Sequence, residues 1–291
     1  MQPRKKQICI IKLEGIGDVL RTTPILWNFQ NSEVTWVTEE TAVPLLSGNP
    51  LIKSTIVLPD TDRLRGCVFD EIYNFDEDLR ACRLAKELRA ENKKGFTYDR
   101  GSYAPFDADA RYAFSLSKDD ALKFKLNKKT YQQILFETAG LKWQGEDYIL
   151  GYRPKSTVKY AVGINYLVGK KFPNKAWPHW ERLAGMLDSV SVQKEFSRLE
   201  EYVDWINSCR IIVTGDTLGM HIALALKKKV VIFMGSTSWN EIETYGRGVI
   251  LKPSLDCMPC YKKVRCRQTV YCMDLITPEM VLGEIEKASA E

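Results

Sequence analysis

Apolar and polar positions along this chain switch repeatedly between a strand-like and a helix-like rhythm. The short apolar run QICIIKL (Gln7 to Leu13) stops at the turn sequence EGIGD, and VLRTTPILWNF then resumes with apolar residues at helical spacing. EVTWVTEE (33–40), IKSTIVLP (52–59) and FDEIYNFD (69–76) read as further strands, and EDLRACRLAKELRAEN (77–92) as an amphipathic helix. Residues 95–127 are aromatic, charged and without clear period, which predicts a surface excursion over a site, and a helix follows in KTYQQILFETAGL (129–141). The second half repeats the logic. Strands are expected at KYAVGIN (159–165), SVSV (189–192), RIIVTG (210–215) and KVVIFMG (229–235), with helices at PHWERLAGML, RLEEYVDWINS, LGMHIALAL and TPEMVLGEIEKA. Such alternation implies mostly parallel sheets covered by helices, an α/β class. Gly- and Pro-marked sequence between Gly151 and Thr157 divides the chain into 1–152 and 153–291, two doubly wound domains expected to face each other across a cleft. Ligands should then sit at the C-terminal strand ends.

Composition narrows the field. The 291 residues suffice for two ordinary domains, and the net charge of +5, with 42 Lys and Arg scattered among 37 Asp and Glu, argues against a nucleic-acid partner. The apolar run near the start is too short for a signal sequence or a spanning helix, so a cytoplasmic protein is expected. In a reducing compartment, clustered thiols hold metal more often than they form disulfides.

Three stretches carry candidate chemistry. In EGIGDVL, Gly15 and Gly17 supply two glycines of G-x-G-x-x-G, Leu20 occupies the third place, and Glu39 and Glu40 end the next strand, so a dinucleotide fingerprint is incomplete. Asp18 either serves the following helix as N-cap or first-turn acid or, at a strand end facing a cleft, accepts a proton from a substrate hydroxyl. The loop YLVGKKFPNKAWPHW brings Lys170, Lys171 and Lys175 to a strand end, as phosphate ligands or as a solvated basic loop stapled by Trp177 and Trp180. In RIIVTGDTLGMHIALAL, Asp216 and Thr217 precede a helix whose N-terminal N–H groups suit an anion, with His221 one turn inside as a donor or as a structural histidine.

Together these stretches resemble glycosyltransferase family 9, the ADP-heptose:lipopolysaccharide heptosyltransferases. IIKLEGIGDVLRTTPIL is similar to the family's N-terminal signature, NKAWPHWERLA to its lysine loop, and VTGDTLGMHIALALKKKVVIFMGSTS to its second signature; TAVPLLSGNPLIKSTIVLP and ITPEMV also fit. The resemblance implies a GT-B fold with an N-terminal acceptor domain and a C-terminal nucleotide-sugar domain, and inverting transfer without a catalytic metal. It implies Asp18 as general base, Lys175 against the donor phosphates, and Asp216, Thr217, Gly219 and His221 in the sugar- and diphosphate-binding turn, with Ser236 and Thr237 on the nucleotide side. Gly17, Arg100 and Arg111 are the acceptor-side candidates. Two features depart from the family pattern. Its second signature runs Asp-Ser/Thr-Gly-x-x-His, whereas here the glycine stands one place later, at Gly219. The stretch between the lysine loop and that signature is compressed into SVSVQKEFSRLEE.

Cys257-x2-Cys260-x5-Cys266-x5-Cys272 places four thiols in a compact insert, either a structural zinc or iron site or a loop of free cysteines. Lys262, Lys263, Arg265 and Arg267 would offset the negative charge of thiolates. The resemblance adds a branch of the family, one that glycosylates autotransporters, with an iron-bearing cysteine finger. KDDALKFKLNKK (118–129) is a solvated face or a contact for a phosphorylated or lipid-linked acceptor at the cytoplasmic membrane surface. The expected activity is transfer of heptose from ADP-heptose to a hydroxyl of a lipopolysaccharide core or other glycan. The alternatives are the same fold with another nucleotide sugar or a protein acceptor, and a non-catalytic nucleotide-sugar or metal-binding module.

Overall fold

Ile8 and Ile10 face one side of strand β1 (Lys6–Ile11), Cys9 and Ile11 the other, and all four are fully buried. A strand covered on both faces carries no polar alternation, which is why ICII reads as an unbroken apolar run. The computed structural model describes residues 4–13, 15–169, 172–262 and 264–290; Lys170, Lys171 and Lys263, named above as candidate cations, lie outside the described residues.

The chain forms two compact units, Met1–Lys123 with Lys129–Arg153 and Phe124–Lys128 with Pro154–Glu291. In the first, α1 (Ile16–Thr22), β2 (Ser32–Thr38), α2 (Val43–Leu46), β3 (Ser54–Val57) and β4 (Val68–Asn74) follow β1, then α3 (Leu79–Glu87), β5 (Arg89–Asp99), β6 (Ser102–Pro105), α4 (Arg111–Lys118) and α5 (Tyr131–Thr138). Among the described residues the sheet order is β3-β2-β1-β4-β5-β6, parallel except for the β5–β6 hairpin. Trp36, Phe29 and Phe136 pack on one face; Val37, Ile72 and Ala81 pack on the other.

The second unit runs β7 (Tyr160–Asn165), α6 (Trp180–Gly185), β8 (Val190–Val192), α7 (Leu199–Asn207), β9 (Cys209–Gly215), α8 (Leu218–Ala225), β10 (Lys229–Phe233), β11 (Gly248–Leu251) and α9 (Pro278–Ala290). Its described strands are all parallel, in the order β11-β10-β9-β7-β8. In each sheet the chain starts in an inner strand and reverses direction beside it, between β1 and β4 and between β7 and β9, creating the crevice where doubly wound sheets bind ligands.

Two expectations need correction. The helix read through residue 92 ends at Glu87, because Leu88 is extended and Arg89 begins a strand paired with β4. Residues 95–105 then form a hairpin instead of an irregular excursion. Strand β5 lies toward the sheet margin with Arg89, Glu91 and Asn92 exposed and Lys93 and Lys94 half-buried, so no apolar run announces it. Gly95 (φ 84) is needed there, since a Cβ would run into the carbonyl oxygen of Asn74. Strand β11 also escaped the apolar pattern, all four of its residues being only half-buried.

Candidate functional site

The first unit's crevice opens where β1 and β4 end. Beyond β1 the chain turns at Gly15 (φ 72), and the Asp18 side chain folds back over the position a Cβ would take. The glycine therefore serves both the turn and the placement of Asp18. Asp18 is the first-turn acid of α1, whose N-cap is Gly15; its carboxylate is 46% exposed and stands 3.4 Å from Nε of Arg21. Arg21 is itself buried, with its guanidinium 3.6 Å above the Tyr131 ring. Thr22 donates to the Asp18 carbonyl (2.7 Å) and meets the Tyr131 hydroxyl (2.9 Å), fixing the turn of helix that carries the acid. Gly17 sits in the same first turn.

Beneath this turn, Lys12 Nζ donates to Asp76 at 3.1 Å, and the Leu13 amide donates to the same oxygen at 2.9 Å. The two side chains are only 11% and 7% exposed. Burial lowers the Lys12 ammonium, but the charges of Tyr131, Asp76 and Asp18 outweigh it and leave the group raised. Asp76 thus ties the end of β1 to the end of β4. Lys12, Arg21 and Asp76 escaped the sequence reading, although Lys12 is a charge inside an apolar strand end and was visible as such.

The second unit's crevice gathers Lys175, Asp216, Thr217, Gly219, His221, Ser236 and Thr237 from three loops and the start of α8. Lys175 Nζ donates to the Asp216 carbonyl and to its carboxylate, both at 2.8 Å, and Thr237 donates to the same carboxylate oxygen at 2.7 Å. Burial pushes the Asp216 carboxyl up, but the charges of Lys175 and His221 and the two hydrogen bonds overcome it and hold the group down to about 2. Two of the three Lys175 donors are spent on Asp216, so one remains for a ligand anion. His221 is buried on α8. The fully buried Ser236 hydroxyl has no hydrogen-bond partner among the described residues, as expected of a group lining a ligand position.

Thr217 is the N-cap of α8, yet its side chain makes no capping bond to the helix. Its hydroxyl instead takes a hydrogen bond from Nδ2 of Asn165 (2.9 Å), which also donates to Thr214 (2.8 Å). Tyr202 in turn donates to Oδ1 of Asn165 at 2.5 Å. The space above Gly219 is filled by this group: a Cβ there would lie 2.7 Å from Nδ2 of Asn165 and closer still to the Tyr202 hydroxyl. Asn165, Thr214 and Tyr202 were missed in the sequence; the one available signal was a polar residue ending the apolar run of β7.

The cysteine insert is bound to this crevice. Asn174, beside Lys175, donates to the carbonyls of Lys262 and Val264 and accepts from the Cys266 amide. Tyr261 donates its amide to Ser236 and accepts from the Ser238 amide through its hydroxyl, while its ring stacks on Phe124 at 3.6 Å. Burial, followed by the charges of Cys260, Cys266 and Cys257, pushes the Cys272 thiol up to about 11. As they stand, no three or more His, Cys, Asp or Glu side chains among the described residues are arranged to hold a metal ion.

The remaining candidates lie on other elements. Arg100 (φ 43) and Gly101 (φ 90) form the tip of the β5–β6 hairpin, which extends past the end of β4, and Arg111 is exposed at the start of α4. Within 118–129, Lys118 lies over the Tyr103 ring and Lys125 donates to the Met258 carbonyl, so these residues are partly tied into structure. Among the described residues no helix is long and apolar enough to cross a membrane.

Residues 197–270 match the family model of glycosyltransferase family 9 (heptosyltransferase). The chain is 31% identical over 83 residues to lipooligosaccharide heptosyltransferase 2 of Campylobacter jejuni, a stretch covering 28% of this chain and 26% of that relative, so the sequence match spans about a quarter of the relative's length. Its fold superposes on the E. coli ADP-heptose lps heptosyltransferase II with a TM-score of 0.67 at 15% identity, covering 97% of this chain and 98% of the other. The iron-containing dodecameric glycosyltransferase TibC from enterotoxigenic E. coli matches with a TM-score of 0.62 at 14% identity, over 98% of this chain and 76% of the other.

Proposed function

We propose that this chain is a glycosyltransferase of family 9, a reading supported by its similarity to the family over residues 197–270 and by its fold, and that it transfers heptose from ADP-heptose, with inversion, to a hydroxyl of a lipopolysaccharide-core or related glycan acceptor. The observation that carries this reading is the node in the second unit where Lys175, Thr237 and the start of α8 meet around Asp216 at the crevice of a doubly wound sheet. A nucleoside diphosphate sugar needs cations and N–H groups at the diphosphate and a carboxylate for sugar hydroxyls, and the node offers both.

In the proposed reaction the acceptor oxygen attacks the anomeric carbon as its proton passes to the Asp18 carboxylate. The bond from that carbon to the diphosphate oxygen breaks, and its electron pair leaves with ADP. Lys175 and the first-turn amides of α8 stabilise the charge that builds on the leaving oxygen, where preorganised donors act without reorganising. Asp216, kept ionised by Lys175, accepts hydrogen bonds from the sugar. No step needs a metal. Incubating the chain with a panel of nucleotide sugars and a heptose-deficient core glycan tests this: ADP release together with a glycan heavier by one heptose is expected from ADP-heptose. ADP release without glycan growth, or growth with every donor except ADP-heptose, would overturn it. The acceptor is taken to be glycan or lipid-linked at the cytoplasmic membrane face, reached from the side of Arg100, Arg111 and Gly17.

The four cysteines are proposed as a structural zinc or iron site in the metal-loaded protein. Four thiols within one insert suit a thiophilic ion, although the described side chains do not stand as a ligand set in the arrangement described. Bound there, the ion would hold the loop that joins Asn174 to Ser236. Elemental analysis of protein purified without chelator should find about one ion per chain, and its removal should lower the melting temperature. Protein lacking metal and melting identically with chelator would refute the site.

A further inference from the structure

We propose that Tyr202, acting through Asn165, is a positioning residue for the donor turn, holding the Thr217 hydroxyl away from the amides of α8 so that those amides stay open to the donor diphosphate; this rests on the nucleotide-sugar reading above. A threonine at an N-cap ordinarily turns its hydroxyl onto the helix's own first-turn N–H groups. Here Thr217 makes no such bond.

The reason lies in the direction of one amide. Tyr202 donates to Oδ1 of Asn165, which forces Nδ2 toward Thr214 and Thr217. Thr214 donates its hydrogen bond to the Gly215 carbonyl (3.0 Å), leaving its oxygen to accept from Thr217 at 3.1 Å. The Thr217 hydroxyl is thereby occupied on both its donor and acceptor sides. Asn165 and Thr214 are the last register pair of β7 and β9, so the network sits at the mouth of the crevice. Tyr202 cannot easily turn away: its ring stacks parallel to Trp205 and packs against Phe196, and Trp205 is anchored on Ser191. Gly219 completes the device, because any Cβ would displace both the phenol and the Asn165 amide. The glycine that stands one place later than in the family signature is thus the steric counterpart of Tyr202.

The test uses the full chain, with ADP titrated by calorimetry, ADP-heptose in the transfer assay and amide hydrogen exchange across 216–220. Tyr202→Phe removes one hydrogen bond at little cost in packing. It should weaken ADP about fivefold, raise the donor KM with little change in kcat, and lower the melting temperature by no more than about a few degrees. Asn165→Ala frees Thr217 to cap, so it should slow exchange in the first turn of α8 while weakening ADP, whereas a purely structural asparagine would speed exchange. Gly219→Ala should lose more than about tenfold in ADP affinity, and adding Tyr202→Phe to it should restore part of the loss. ADP binding unchanged in Tyr202→Phe, or a Gly219→Ala defect indifferent to residue 202, would overturn the inference while leaving the transferase reading intact. Failure of the unsubstituted chain to bind any adenine nucleotide would overturn the transferase reading itself.

Discussion

Both crevices are built around a lysine–aspartate pair, yet the two pairs do different things. Lys12 and Asp76 are sealed in, and their shared oxygen also takes a backbone amide, so the pair is used up in joining β1 to β4. Lys175 and Asp216 are slightly more open, at 17% and 16%, and lie beside the Ser236 hydroxyl, which has no partner among the described residues, and beside the start of α8, which no side chain caps. In the first unit the reactive candidate is a separate, half-exposed acid raised above the pair; in the second the pair itself forms part of the ligand surface. A buried ion pair therefore does not mark a site by its presence. What separates the two pairs is what adjoins them: a backbone amide on the Asp76 oxygen in the first, and the Thr237 hydroxyl and the start of α8 in the second.

The largest effect should follow from Asp18→Asn, which keeps the shape of the turn and removes the proton acceptor. Transfer should fall by about 10²–10⁴-fold in kcat with donor KM little changed. Wild-type turnover by this variant would sink the assignment of Asp18 as base. The two pairs separate next. Lys12→Met leaves the Asp76 carboxylate buried without its cation and should cost about 3–5 kcal/mol of folding stability. Lys175→Met leaves Asp216 with the Thr237 hydroxyl and the nearby His221, and should cost about 1–3 kcal/mol while abolishing most ADP affinity. Equal losses of stability from the two, measured by urea unfolding, would break the distinction drawn between a knot and a ligand surface.

Much of this was legible in the chain because parallel strands buried on both faces write themselves as apolar runs. ICII, YAVGIN, RIIV and KVVIF each lie in a strand, and the acids, threonines and glycines at their ends mark the crevice. The unread parts have physical causes. The strand at 89–99 carries Lys, Glu and Asn because it lies toward an open margin, so it copied the helical pattern of its neighbour. Asn165 and Tyr202 lie 37 residues apart, and the meaning of Gly219 depends on that distant pair, so no local window could supply it. The cysteine spacing was plain, but the anchoring of its loop through Asn174 and Tyr261 is a tertiary fact.

The smallest effect is the pH dependence of the Asp216 node, and its sign follows from the depressed carboxyl. An unfolded aspartate titrates near 3.8, and the folded one near 2, so the folded state holds fewer protons between these values. The stabilisation it contributes is fully present above about pH 4, shrinks as pH falls through the folded value, and amounts to about 2 kcal/mol. Other depressed carboxyls, such as Asp78 beside Arg80, add to the same acid limb. The contribution of Asp216 is therefore read as a difference. Stability of the unsubstituted chain minus that of Asp216→Asn should narrow by about 2 kcal/mol between pH 5 and pH 2, followed by thermal melts across that range. A difference that stays constant through the window would mean that Lys175 does not hold the Asp216 charge, and the second pair would then be no more a ligand surface than the first.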